Sequence, residues 1–144
     1  MITQPSVVTS YSPTKTVKPF AEIFRGTTNG TTNVPLWDIP AGTIIELVLC
    51  KTIVAGVGTG NLMVGDTDNT DGFIAASDAT AAADTILGDD PTERGDYLYD
   101  STKKGSFVKH YESAGKQLIL DGSAATLTTE ATVEVIVKGL RYSG

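Results

Sequence analysis

Four side chains with carboxylate or amide oxygens lie within six residues near the middle of the 144-residue chain, at Asp66, Asp68, Asn69 and Asp71. Oxygen ligands at alternating positions bind Ca²⁺ in a helix–loop–helix site, which also requires Gly at loop position six and Glu at position twelve. Counted from Asp66, those positions hold Asp71 and Ser77, so the register fails. A looser cation site between strands stays open, but the pattern favours an Asx-type turn with solvated carboxylates.

No other group of residues predicts catalysis. His110 is the single histidine, whereas jelly-roll metalloenzymes of the cupin type bind their metal through several. The chain has no Gly-x-Ser-x-Gly nucleophile turn. The glycine-rich residues 56–60 lack the Lys-Ser/Thr and the helix of a phosphate-binding loop. We therefore predict no catalytic residue, no metal site and no cofactor, and expect the protein not to be an enzyme.

The elements around the acidic turn have the pattern of β-strands. Apolar residues 62–64 and 73–76 flank the turn and predict two short strands joined by a tight loop. Residues 43–54 are apolar at nearly every position and predict a strand buried on both sides. Residues 132–141 alternate, with Val133, Val135 and Val137 predicted to face inward.

The turn signals and the spacing of these strands predict the fold class. Asp121-Gly122 has the composition of a turn, as do several Gly-rich stretches, and the only candidate helix is a short one at residues 79–83. Residues 77–105, called the excursion below, are predicted to cross the surface, pinned by Tyr97, Leu98 and Tyr99. About eight antiparallel strands without a convincing helix predict an all-β fold, a jelly-roll β-sandwich.

Composition and charge restrict the possible partners. A net charge of −6 and a pI near 4.6 exclude a general nucleic-acid binder, which would have a basic face. A single cysteine, Cys50, excludes an internal disulfide and is predicted to be a small core residue. No apolar run approaches the ~20 residues of a membrane span, and no signal pattern begins the chain, so we expect synthesis in the cytosol and no membrane association.

The N-terminal residues differ from the rest of the chain. Pro5, Pro13 and Pro19 interrupt a Ser- and Thr-rich sequence and favour an extended conformation. We divide the chain into an extended arm, residues 1–20, and a jelly-roll domain, residues 21–144. A frayed terminus is the alternative to a binding arm. The arm's apolar and basic side chains are its predicted anchors for a partner: Val7, Val8, Tyr11, Lys15, Val17, Lys18 and Phe20.

Two turn motifs carry a resemblance to a known family. Ile39-Pro40-Ala41-Gly42-Thr43 precedes the apolar strand, and Val64-Gly65-Asp66-Thr67-Asp68-Asn69-Thr70-Asp71-Gly72-Phe73 follows it. Over about residues 39–140 the chain resembles the small jelly-roll decoration, or cement, proteins of tailed bacteriophages. The resemblance implies a homotrimer on the outside of the capsid of a virion, where it clamps neighbouring major capsid proteins. Similar folds in phage tails and fibres leave an alternative, a binding module for host-surface glycan.

Overall fold

The computed structural model describes residues 16–30, 32–103 and 105–143. The described chain has eleven strands and one 3-10 turn at Pro91–Glu93. The strands are β1 Thr16–Thr27, β2 Val34–Ile39, β3 Thr43–Val54, β4 Val57–Asp66, β5 Ile74–Asp78, β6 Ile86–Leu87, β7 Tyr99–Asp100, β8 Gly105–Ser106, β9 Lys109–Tyr111, β10 Lys116–Thr129 and β11 Thr132–Ser143. Among the described residues, no helix has the length and apolar character needed to cross a membrane.

Nine of the strands form two antiparallel sheets whose order is that of a jelly roll, and β7 and β8 pair with each other as a separate two-stranded sheet. The first sheet runs β1-β11-β3, with β6 and β9 paired to different parts of the free edge of β3; the second runs β2-β10-β4-β5. The first strand pairs with the last and the second with the tenth, so the chain folds back along its whole length. Because β6 and β9 share one position, the two sheets have eight strand positions. The predicted jelly-roll sandwich is confirmed.

The core lies between the sheets and follows the two-residue period of a strand. Val133, Val135 and Val137 are fully buried on β11, as predicted, while the residues between them face outward. Ile45, Val48 and Cys50 of β3 are buried beside them. Burial raises the pKa of the Cys50 thiol to about 12, so Cys50 is the inert core residue that the sequence predicts.

Three local predictions were wrong. Asp121 and Gly122 do not form a turn, because β10 continues through them and pairs them with Met63 and Leu62 of β4. Glycine is needed there for a close approach, since a Cβ at position 122 would lie 2.2 Å from the Gly30 carbonyl oxygen. Residues 79–83 form no helix. Residues 106–112, whose alternating side chains predict a single strand, are divided between β8 and β9.

The prediction that β3 is buried on both sides holds for one face only. Ile44, Leu47 and Leu49 point away from the core and are half-buried, because no described strand packs over them. We call this surface of the first sheet, formed by β1, β11 and β3 and turned away from the second sheet, the outer face.

Candidate functional site

The side chain of Asp66 lies at the end of β4 and is 1% exposed. Its Oδ1 accepts hydrogen bonds from the backbone N–H groups of Asp68 and Asn69, both at 2.9 Å, which is the geometry of an Asx turn. The same oxygen accepts from the Tyr97 hydroxyl at 3.0 Å, and Oδ2 accepts from the Tyr111 hydroxyl at 2.7 Å. The Asp66 carboxylate therefore joins the turn, the excursion and β9.

The electrostatics of this cluster keep Asp66 charged and both tyrosines neutral. Burial by itself raises the pKa of Asp66, but the hydrogen bonds from Tyr111, Asn69, Asp68 and Tyr97 outweigh it, and the pKa lies below its ordinary value. Burial, and then the hydrogen bond to Asp66, raises the pKa of both Tyr97 and Tyr111. Four donors therefore satisfy a buried carboxylate, an arrangement that stabilises structure rather than activating a base or a nucleophile.

The rest of the acidic turn faces solvent. Asp68 is exposed and pairs with the Lys116 ammonium at 2.9 Å, Asn69 is half-buried, and Asp71 is exposed. The predicted Asx turn is confirmed, but the expectation of solvated carboxylates was wrong for Asp66, because Tyr97 and Tyr111 close over it. Within the described ranges, no group of three or more His, Cys, Asp or Glu side chains is arranged to hold a metal ion.

Sequence reasoning placed the turn but missed the two tyrosines that complete the cluster. Tyr97 and Tyr111 lie 31 and 45 residues after Asp66. Tyr97 had been predicted only to pin the excursion to the body, and it does so by packing edge-on against Phe73 with ring centroids 5.3 Å apart. Nothing in the sequence near either tyrosine signals a contact with Asp66.

A shallow cleft of about 380 Å³ beside the cluster is lined by His110 and Ser113 together with Asp66 and Asp68. His110 is exposed on β9 and shares a hydrogen bond with the Tyr142 hydroxyl. Residues 57–60 of the glycine-rich stretch begin β4, so they do not form a loop around a phosphate. Within the described residues, His110 bonds to Tyr142 and not to Ser113, so these side chains do not form a nucleophile–base pair.

The predicted arm divides between described and undescribed residues. Val7, Val8, Tyr11 and Lys15 lie outside the described residues. Val17, Lys18 and Phe20 lie in β1, where residues 16–20 pair with β11. The ring of Phe20 packs 5.9 Å from that of Trp37, centroid to centroid, and thus contributes to the body of the domain.

A cleft of about 440 Å³ lies where the start of β1 meets the end of β11, and its lining includes Lys18, Phe20 and Arg141. The Arg141 guanidinium lies 4.7 Å from the centroid of the Phe20 ring and donates to Glu22 at 2.9 Å. Its Nε is buried and has no partner among the described residues. The ion pair is about one-third exposed on each side, so it contributes little more than a surface pair.

No family model matches the sequence, and no curated protein does. Solved structures share the fold, among them two from phage capsids. One is a chain in the acidic stable capsid structure of Helicobacter pylori bacteriophage KHP30, 12% identical over 90% of this chain and 98% of that chain, with a TM-score of 0.52. The other is a chain in the capsid asymmetric unit of cyanophage Pam1, 15% identical over 89% and 85%, also with a TM-score of 0.52. At these identities the likeness establishes a common fold.

Proposed function

We propose that the chain is a structural protein of a bacteriophage virion, a homotrimer that binds the outside of the capsid and clamps neighbouring major capsid proteins. The observation that carries this proposal is the match to chains of two phage capsid structures, which covers nearly the whole of this chain and most of each of theirs.

The candidate site supports a structural role without catalysis. Every oxygen of the buried Asp66 carboxylate is already engaged by donors of the same chain, and the raised pKa of Tyr97 and Tyr111 keeps their hydroxyls protonated. Such a cluster stabilises the loops of a domain.

Decoration stabilises a shell for a simple thermodynamic reason. A protein that binds only the assembled capsid shifts the assembly equilibrium toward it. Three arms on one trimer raise the effective concentration of each arm once the first is bound. The arm's two basic residues, Lys15 and Lys18, contrast with a chain of net charge −6. This contrast fits an arm that binds a different surface from the rest of the domain.

The test is sedimentation of the purified protein with capsids of the phage that encodes it. We expect the full-length chain to sediment with capsids and to raise the temperature at which they release DNA. A variant lacking residues 1–15 is expected to lose most of this binding. The deletion ends at residue 15 because residues 16–20 pair with β11 and their loss would damage the sandwich. Circular dichroism checks that the shortened chain folds.

The matched control keeps the arm and removes a half-buried lysine of the domain, as Lys116→Ala, which is expected to bind capsids like the unmodified protein. Unchanged binding after the deletion would overturn the role of the arm. Failure of the full-length chain to bind capsids would overturn decoration itself. Glycan binding together with no capsid affinity would support the tail- or fibre-associated module instead.

A further inference from the structure

The outer face of the first sheet carries a band of apolar side chains that no described element covers. Strand pairing places Ile23 of β1, Ile136 of β11 and Leu49 of β3 side by side in one row. Ile23 is 59% exposed. The largest apolar side chains of the band are Ile23, Ile44, Leu47, Leu49, Ile136 and Leu140. Contiguous apolar patches of this kind on a folded domain mark interaction surfaces.

The charges within the band define what can cover it. Lys138 lies between Ala21 and Leu47 in the neighbouring row, is exposed, and forms no ion pair with a described side chain. The row at one end of the band is Arg25, Glu134 and Lys51, where Lys51 already pairs with the Asp84 carboxylate at 3.6 Å. A partner that covers this band must therefore supply apolar contact together with carboxylates, because burying Lys138 without a counter-charge is costly.

The excursion and the residues just after it provide such a surface on the same chain. Phe107 and Val108 are 42% and 55% exposed. Phe107 lines a cleft of about 260 Å³ together with Asp96 and Asp100. The excursion as a whole contains more acidic than basic residues. The exposed Phe107 ring, beside the carboxylates of Asp96 and Asp100, complements an apolar band that surrounds a lysine.

We propose that the outer face of one copy binds the surface formed by Asp96, Asp100, Phe107 and Val108 of the next copy. The two surfaces are different, so the contact is heterologous, and repetition by a three-fold rotation closes it into a ring. This inference rests on the homotrimer proposed above and names its interface. Three strands and their neighbours over seven residues cover roughly 400 Å². If each partner buries that area, one contact buries about 800 Å² in total, which is the size of a weak interface, and each subunit of the ring makes two such contacts.

The first experiment measures solution mass by light scattering over a range of concentrations. We expect about three times the 15.1 kDa mass of the chain for the unmodified protein, and the mass of one chain for Ile23→Glu. The exposure of Ile23 makes this change compatible with folding, which circular dichroism verifies. The matched control is Val57→Glu, at a valine of similar exposure in the other sheet, and it is expected to keep the mass of the unmodified protein.

The second experiment tests which surfaces meet. A variant with both Lys138→Cys and Val108→Cys is expected to form crosslinked dimers and trimers on mild oxidation, whereas each single variant does not. The native Cys50 is fully buried and does not interfere. Crosslinking of Lys138→Cys alone would indicate face-to-face pairing and overturn the heterologous contact. A trimer that persists in Ile23→Glu, or a monomeric unmodified protein, would overturn the interface.

The solution mass and the sedimentation with capsids together distinguish failure of this interface from failure of the proposed function. If the unmodified protein is a monomer in solution but still sediments with capsids, the proposed interface is wrong and the proposed capsid binding is supported. If the unmodified protein is a trimer that Ile23→Glu dissociates, but it does not bind capsids, the interface is supported and the proposed decoration role is wrong. If Ile23→Glu abolishes capsid binding without changing the solution mass, the outer face binds the shell and the interface inferred here is wrong.

Discussion

At the scale of single residues, Asp66 holds together segments that are distant in the sequence. Removing a carboxylate from water is costly unless donors replace its hydration. Two backbone amides and two tyrosine hydroxyls do so here. Hydrogen bonds to a charged group contribute more than neutral ones, so this residue stabilises the turn, the excursion and β9 together.

The substitution Asp66→Asn tests this conclusion. It removes the charge and presents an amide N–H₂ toward groups that are themselves donors, so we expect the free energy of unfolding to fall by about 2 kcal/mol. Urea denaturation at pH 7 measures the change. Asp71→Asn, at an exposed position in the same turn, is expected to stay within about 0.5 kcal/mol of the unmodified protein. Equal effects at the two positions would contradict the role of the buried carboxylate.

The lowered pKa of Asp66 predicts how its contribution depends on pH. Its pKa in the folded protein lies below the value of about 3.9 expected for the unfolded chain. The contribution is therefore fully present above that unfolded value and is lost as the pH falls through the folded pKa. We expect the stability difference between the unmodified protein and Asp66→Asn to be constant from about pH 5 to 8 and to shrink on further acidification. If this difference in the free energy of unfolding shrank as the pH rose, the pKa of Asp66 would not be lowered in the folded protein.

At the scale of elements, the excursion is docked onto the acidic turn through backbone contacts. The N–H of Gly95 donates to the Phe73 carbonyl at 3.1 Å, and the N–H of Tyr97 donates to the Gly72 carbonyl at 2.9 Å. A Cβ at position 95 would lie 2.0 Å from the Asp71 carbonyl oxygen, so only glycine permits this approach.

Gly95→Ala is therefore expected to undock the excursion. We predict a loss of about 3 kcal/mol of stability and faster proteolysis within residues 77–105, because the clash is with backbone that cannot move aside. Limited proteolysis followed by mass spectrometry identifies the cleaved segment. The control is Gly105→Ala, where the nearest atom to the added Cβ is 3.9 Å away, and its cleavage pattern is expected to be unchanged. Protection of the excursion in Gly95→Ala would rule out this docking.

At the scale of the whole molecule, an aromatic cluster joins the two sheets at the end where the strands nearest the two termini meet. Phe24 of β1 stacks on Trp37 of β2 with centroids 5.0 Å apart and planes 24° apart. Phe20 and Arg141 pack against the same tryptophan. Because β1 and β11 come from opposite ends of the described chain, this part of the sandwich forms only when distant segments pair.

Phe24→Ala is expected to lower the stability of the whole domain by about 3 kcal/mol, since it leaves a cavity beside Trp37. Trp37 is the only tryptophan, so its fluorescence reports unfolding of this cluster, and it is expected to change together with far-UV circular dichroism. Val57→Ala, at an exposed position, is expected to change stability by less than about 1 kcal/mol. Separate fluorescence and dichroism transitions in Phe24→Ala would show that the cluster unfolds independently of the sheets.

The sequence by itself determined the features that depend on neighbouring residues. The alternation of Val133, Val135 and Val137 specifies which side of β11 enters the core, because successive side chains of a strand point to opposite faces. The position of the acidic turn, the inert Cys50 and the jelly-roll class also followed from local pattern and turn spacing. Each of these is set by short-range geometry.

The tertiary structure decided the features that require segments to meet. Asp66 is buried rather than solvated only because Tyr97 and Tyr111 arrive from 31 and 45 residues away. Gly122 belongs to a strand rather than a turn because it pairs with Leu62 of β4, and glycine is needed there because the Gly30 backbone approaches closely. The pattern of β3 showed two apolar faces, and strand pairing left one uncovered. Local pattern encodes which residues are apolar, whereas the long-range pairing of strands decides which of them another element covers.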